Sequence, residues 1–100
     1  MAHANTKLYL VHAGFYDLDL LEGVFEQHIN FFVVAESFEE ARLKAKIHPD
    51  FKNRKMHVDG LQEIEAVDGH RVQLIVDDAL DGKSKLTSNR HRDLAPKSTL

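Results

Sequence analysis

Apolar residues occupy both sets of alternating positions in two early segments of the chain. Lys7 to Ala13 carries leucines on one face and Tyr9 and Val11 on the other, and His28 to Ala35 repeats the pattern. Such segments predict strands covered on both faces, usually in the interior of a sheet. The connection from Gly14 to Gln27 is leucine-rich and long for a hairpin, which is typical of a functional loop. Its length permits either parallel or antiparallel pairing of the two strands.

The next segment, Ser37 to Ile47, has the pattern of a helix. Ser37 and Glu40 fit a capping box, in which the serine hydroxyl accepts a hydrogen bond from the backbone N–H three residues later. Pro49 disfavours helical geometry at the residue before it, which predicts a helix end near Ile47.

Two Asp-Gly pairs follow, Asp59-Gly60 and Asp68-Gly69, each after a valine and before a strand-like run. Asp-Gly is a strong signal for a tight hairpin turn, so residues 56–76 are predicted to form a β-meander.

The second turn allows two registers. A two-residue loop would mix charged and apolar residues on one face of the hairpin. A three-residue loop, with Gly69 as a left-handed bulge, places Ile64 opposite Val72 and Glu65 opposite Arg71. Because it sorts the two faces and forms an ion pair, the three-residue register is predicted.

These elements predict a single small α+β domain over residues 7–77, in the order β-β-α-β-β-β, with a C-terminal β-meander and one covering helix. Residues 78–100 have few large apolar side chains and read as a loosely ordered polar tail. One helix covers only one face of a sheet, so the other face is predicted to pack on a second copy in a homodimer. The alternative is that the long loop or the tail folds over that face.

Composition narrows the functional classes. The net charge of -3 argues against a nucleic-acid partner, which requires a basic face. The absence of cysteine excludes thiolate metal sites and thiol catalysis. The N-terminal residues lack the pattern of a signal peptide, and no apolar run is long enough to span a membrane, so a cytoplasmic protein is expected. No cofactor is predicted, and the sequence does not identify a small-molecule ligand.

The candidate chemistry lies at the starts of two strands. Glu26, Gln27 and His28 open the second strand, and His57 and Asp59 flank the valine before the first Asp-Gly turn. Imidazoles and carboxylates suit metal binding or proton transfer. His57 and Asp59 would share one face of an extended strand.

A simpler interpretation is that the two histidines bond backbone carbonyls at strand ends while Asp59 makes its turn. It is favoured because no zinc-type spacing is present, so no metal ligands are predicted. His12, near the end of the first strand, could join the group if the strands are neighbours.

The segments LYLVHAG, EQH before FFVV, AES, HVDG and VDGH resemble a small bacterial family known only as a domain of unknown function, number fifteen-forty-three. The resemblance covers Lys7 to Val76 and departs from the family pattern at Ile29, where an aspartate is common, and at His70, where an aromatic residue is common. It implies one or two copies of the domain per chain, and a homodimer of this chain could imitate the two-copy arrangement. It implies no activity.

Two functions are consistent with the sequence. The favoured one is a non-catalytic binding or homo-oligomerisation module that uses the uncovered sheet face and the leucine-rich loop. The alternative is a small metal-binding protein or hydrolase-like enzyme that uses Glu26, His28, His57 and Asp59. The alternative requires these side chains to converge, and it would be excluded if the two histidines lay on opposite faces of the sheet.

Overall fold

The computed structural model describes residues 5–16, 25–49 and 55–90. Its elements are β1 (Lys7–Tyr16), β2 (Glu26–Ala35), α1 (Phe38–Lys46), β3 (Lys55–Glu63), β4 (Ala66–Val67), β5 (His70–Arg71) and a short 3-10 helix (Asp78–Leu80). The predicted α+β class and element order are confirmed. Most of the leucine-rich connection lies outside the described residues.

Helix α1 begins where the capping box predicts. The Glu40 backbone N–H donates to Ser37 Oγ at 3.1 Å, and the Glu36 N–H donates to Glu40 Oε1 at 3.3 Å. These bonds satisfy N–H groups at the helix start that lack partners within the helix. The helix ends at Lys46 with Ile47 as its C-cap, as the sequence predicts.

The three long strands form an antiparallel sheet in the order β2-β1-β3. The most apolar strand, β1, is therefore central, as its two-sided pattern predicts. Within the described residues β2 lies at an edge, although the same pattern predicted an interior strand. The pairing of β1 with β2, which the sequence left open, is antiparallel and runs from Lys7–Ala35 to Tyr16–Glu26.

The core lies between the sheet and α1. Tyr9, Val11 and Ala13 of β1 are fully buried, and so are Ala41 and Ala45 of the helix. The two alanines allow close approach of the helix to the strands, since they add little bulk between the two backbones. Side chains of β2 and β3 complete the packing at its margins.

The first Asp-Gly pair is not a turn, and the prediction of one was wrong. Asp59 and Gly60 lie inside β3, which continues through them to Glu63. The β1–β3 register passes from Ala13–Val58 to His12–Gly60, so Asp59 is an extra residue in a β-bulge. Asp-Gly sequences suit bulges as well as turns, and pairing with β1 selects the bulge.

The second Asp-Gly pair is a turn, but the predicted three-residue register was wrong. Val67 pairs with His70 and Ala66 with Arg71, which leaves a two-residue loop. Both loop residues have positive φ, 50° for Asp68 and 75° for Gly69, as in the type I′ turn that matches strand twist. These strands are two residues long and exposed, so there was no buried face to sort.

The described part of the tail, up to residue 90, is exposed and has no regular structure beyond the 3-10 helix. The division into a domain at residues 7–77 and a polar tail stays a prediction. None of the helices in the described residues is long and apolar enough to cross a membrane.

Candidate functional site

The face of the sheet opposite α1 changes from apolar to polar along its length. Toward one end Leu10 of β1 stands opposite Phe32 of β2. Toward the other end Gly14 of β1 stands opposite His28 of β2 and His57 of β3. Directly opposed residues in antiparallel strands project to the same face, so two imidazoles flank a position that has no side chain.

Two carboxylates join these imidazoles by strand alternation. Glu26 precedes His28 by two residues, and Asp59 follows His57 by two, so each carboxylate shares the face of its histidine. At the bulge, Asp59 and Gly60 together oppose His12. At the bulge the Asp59 carboxylate thus lies within 4 Å of the imidazoles of His12 on β1 and His28 on β2.

The shortest distances between side chains of the cluster and a carboxylate involve His57. Its Nε2 lies 2.7 Å from Glu26 Oε1 and 3.0 Å from Asp59 Oδ1. This nitrogen carries at most one hydrogen, which cannot make full hydrogen bonds to both oxygens. Two carboxylates therefore meet at a single donor with their oxygens within 4.8 Å of each other, so a cation between them would offset their repulsion.

His28 faces the same two carboxylates, but it lies nearest to their other two oxygens. Its Nδ1 is 3.6 Å from Asp59 Oδ2, and its Nε2 is 3.9 Å from Glu26 Oε2. The oxygens nearest to His28 are thus not those nearest to His57. The two imidazoles occupy different sides of the carboxylate pair.

His12 adds a third imidazole. Its Nε2 is 3.9 Å from Asp59 Oδ2, and its ring stacks on that of His28 with centroids 5.4 Å apart and an interplanar angle of 13°. Its Nδ1 is 2.7 Å from Asn30 Oδ1. An amide oxygen only accepts, so Nδ1 carries the hydrogen and Nε2 of the neutral ring keeps its lone pair.

Gly14 forms the floor of the cluster. A Cβ built on this residue would overlap Glu26 Oε1 and would lie 2.8 Å from His57 Nε2. The space above the Gly14 backbone is thus occupied by the two donor groups that approach most closely. A glycine is required here by proximity, since positive φ among the described glycines is confined to Gly69 and Gly82.

The cluster is open to solvent. The side chains of His12, His28 and His57 are 48%, 51% and 49% exposed, while those of Glu26 and Asp59 are 30% and 32% exposed. Exposure allows an ion or small molecule to reach the donor atoms without rearrangement of the core. It also leaves coordination positions for water.

The structure brings together four of the five residues that the sequence singled out. Glu26, His28, His57 and Asp59 converge on the open face. Gln27 does not, because it pairs with Phe15 and alternation directs it to the helix side of the sheet.

Sequence reasoning gave His12 only a conditional place and missed Asn30 and Gly14. The signal for His12 and Asn30 was their position two residues from other members of the cluster. This spacing identifies His12 and Asn30 as members of the cluster only when β1 is known to lie between β2 and β3.

A separate shallow cavity of about 150 Å³ lies at the opposite end of the sheet. It is lined by Lys7, Glu63, Ile64 and Arg71 among others, and the Lys7–Glu63 ion pair of 3.8 Å crosses its edge. The cavity shares no residue with the cluster. The histidine and carboxylate cluster thus lies on the open face, apart from this cavity.

Comparison with known proteins gives a family and no activity. The family model described as Domain of Unknown Function (DUF1543) matches residues 23–74. This range includes β2, α1 and β3, and therefore Glu26, His28, Asn30, His57 and Asp59. No curated protein and no solved structure matches the chain.

Proposed function

The chain belongs to the DUF1543 family, and we propose that it binds a divalent first-row transition-metal ion through Glu26, His57 and Asp59. The observation that carries the proposal is the position of His57 Nε2, 2.7 Å from Glu26 Oε1 and 3.0 Å from Asp59 Oδ1. The three donor atoms lie within 4.8 Å of one another.

These distances match the edges of a coordination polyhedron. With metal–donor bonds of about 2.1 Å, adjacent octahedral donors are about 3.0 Å apart and tetrahedral donors about 3.4 Å apart. The Glu26 and His57 atoms would move apart by only a few tenths of an ångström to admit the ion. The β1 register holds both strands in place during that adjustment.

The donor set selects the kind of ion. Imidazole nitrogen suits zinc, copper, iron and nickel, while carboxylate oxygens broaden the choice to manganese. Calcium and magnesium prefer sites made wholly of oxygen, so they fit this mixed set less well. Zn²⁺ and Mn²⁺ are therefore the appropriate probes.

Removal of His57 should abolish the tightest binding. The protein is first freed of metal with a chelator and then titrated with Zn²⁺ by calorimetry, with native mass spectrometry of the same samples. We expect His57→Ala to weaken the tightest Zn²⁺ site by more than about 100-fold, since loss of even an outer partner of a ligand costs about 10–100-fold.

His70→Ala is the matched control, because His70 lies on β5 and its Nδ1 contacts the Asp68 carbonyl in its own turn. This variant should bind Zn²⁺ as the unaltered protein does. Absence of binding in the unaltered protein, or equal loss in the two variants, would contradict the metal site.

The apolar part of the open face supports a second candidate function, homodimerisation. Phe32 and Val34 of β2 are 51% and 42% exposed, and they stand beside Leu10 and Leu8 of β1. Two such faces can stack as sheets do, with apolar rows interleaved across a spacing of about 10 Å. A twofold axis near the Leu10–Phe32 row would place identical apolar rows on each other and the two polar clusters at opposite ends.

The Phe32→Asp variant tests the dimer. A charge at the centre of the stacked faces should lower the dimer fraction at least about tenfold, because a desolvated and unpaired carboxylate opposes association. Light scattering across a concentration series measures the change. Ile75→Asp is the control, since Ile75 is 85% exposed and outside the sheet. A monomer at all concentrations, or equal effects of both substitutions, would rule out this surface.

A further inference from the structure

The two oxygens of the Asp59 carboxylate face different groups of donors. Oδ1 lies 3.0 Å from His57 Nε2, on the side of Glu26. Oδ2 lies 3.6 Å from His28 Nδ1 and 3.9 Å from His12 Nε2. The His12, His28 and Asp59 donors form a second set, with all three atoms within 4.8 Å of one another.

We propose that this second set binds a second divalent metal ion and that Asp59 bridges the two ions. The proposal rests on the proposed function, because the first ion occupies the Glu26, His57 and Oδ1 side. The second ion would take His12 Nε2, His28 Nδ1 and Asp59 Oδ2. Ions bridged in this way are about 3.5–4 Å apart in two-metal sites.

The hydrogen bond between His12 and Asn30 orients the His12 ring for metal binding. The Asn30 amide oxygen accepts from Nδ1–H at 2.7 Å, so Nε2 is the nitrogen available to a metal. A hydrogen bond from the remote nitrogen of a metal-binding histidine to an oxygen acceptor fixes its tautomer and orientation. Asn30 is thus a positioning residue for His12.

The stacking of His12 on His28 holds the two imidazoles nearly parallel, at an angle of 13°. Their strands are directly hydrogen-bonded, with His12 opposite Asn30 and Gly14 opposite His28. The second set is wider than the first, with separations of 3.6 and 3.9 Å against 2.7 and 3.0 Å. A second ion should therefore bind more weakly than the first, because its donors must close around it.

The charge of the cluster determines which further ligand two ions would need. A single dication is balanced by the Glu26 and Asp59 carboxylates, while three neutral imidazoles add donors without charge. Two dications exceed the charge of these two carboxylates, so the pair would recruit an anion or a hydroxide from solvent. The exposure of the cluster leaves space for that ligand, which is the arrangement that two-metal sites use to hold an oxyanion or a nucleophilic water.

The test is the Mn²⁺ stoichiometry and its magnetic coupling. Chelator-treated protein is titrated with Mn²⁺, bound ions are counted by elemental analysis after gel filtration, and electron paramagnetic resonance is recorded at low temperature. We expect two ions per chain at saturation and the spectrum of an exchange-coupled pair. His12→Gln should retain one ion and an uncoupled signal, and Asn30→Ala should weaken the second ion by about 10–100-fold while the first is unchanged.

Circular dichroism shows whether each variant folds, and His70→Gln controls for loss of an imidazole elsewhere. One ion per chain, sensitive to His57→Ala but not to His12→Gln, would overturn the second site and leave the first intact. Loss of all binding in both His12→Gln and His57→Ala would also overturn it, because it would show one shared site. No Mn²⁺ or Zn²⁺ binding by the unaltered protein would overturn the proposed function itself.

Discussion

The Asp59→Asn variant is expected to bind neither ion. Asparagine has nearly the same shape as aspartate but offers a neutral oxygen and an amide that donates, so it supplies at most one weak ligand. Because Asp59 contributes one oxygen to each group of donors, the change removes a charge from both at once. The affinity of the tightest site for Zn²⁺ should fall by more than about 100-fold, since loss of an outer partner alone costs about 10–100-fold.

The fold of this variant should survive. Asp59 is in the bulge, its side chain is 32% exposed, and it lies outside the hydrophobic core. Removing one of two close carboxylates also relieves repulsion in the metal-free protein. Thermal unfolding without metal should show a melting temperature equal to or above that of the unaltered chain, and added Zn²⁺ should no longer raise it.

Asp81→Asn serves as the control for the charge change, because Asp81 follows the 3-10 helix and is exposed. It should retain both ions. Retention of one tightly bound ion by Asp59→Asn would show that Asp59 does not bridge, and an unchanged Zn²⁺ affinity would remove it from the site altogether.

The Gly14→Ala variant is expected to lose the first metal ion while it remains folded. The added methyl would overlap Glu26 Oε1 and press on His57 Nε2. Both atoms are the ends of side chains that can rotate away, so the backbone need not move. Alanine is also favoured over glycine in a strand by about 0.5–1 kcal/mol. The stability of the metal-free protein should therefore change by less than about 1 kcal/mol.

The displaced donors, in contrast, can no longer close around an ion. We expect Zn²⁺ affinity at the tightest site to fall at least about tenfold, measured by calorimetry beside chemical unfolding. Gly60→Ala is a close control, because Gly60 lies in β3 beside Asp59 and a Cβ there would meet nothing within 4 Å. Equal affinity in the two variants would show that the space above Gly14 is not part of the site.

The local elements could be predicted from sequence because their signals are local. The capping box at Ser37 and Glu40 fixes the start of α1 within a few residues of chain. Likewise, apolar residues at both sets of alternating positions identify β1 as a strand, but one of its two faces is the open face that carries the cluster. Asp68-Gly69 is recognisable as a turn, but its loop length is not, because the flanking strands are exposed and their register carries no packing energy.

Four of the site residues are recognisable from their type, but their convergence could not be predicted because it depends on pairings between distant residues. Gly14 meets His28 and His57 only because β1 lies between β2 and β3. The two-sided apolar pattern is shared by β1 and β2, so it does not determine which of them is central. The bulge at Asp59 has the same origin, since the same two residues would make a turn in an isolated hairpin. Gln27 was included for its place beside His28, although adjacent residues of a strand face opposite ways.

The bulge in β3 changes the alternation of side chains, because two residues, Asp59 and Gly60, occupy the place of one. Val58, just before the bulge, faces the core. Leu61 lies three positions later, so regular alternation without a bulge would direct it to the open face. The bulge absorbs the extra residue, so Leu61 packs against the buried core while Asp59 faces the histidines. A deletion of Gly60 would thus remove the bulge and leave ordinary alternation, with Leu61 still opposite Val11 on the core side and Asp59 alone opposite His12. An alignment of this strand with a relative can therefore carry a one-residue gap at the bulge without changing which residues face the core.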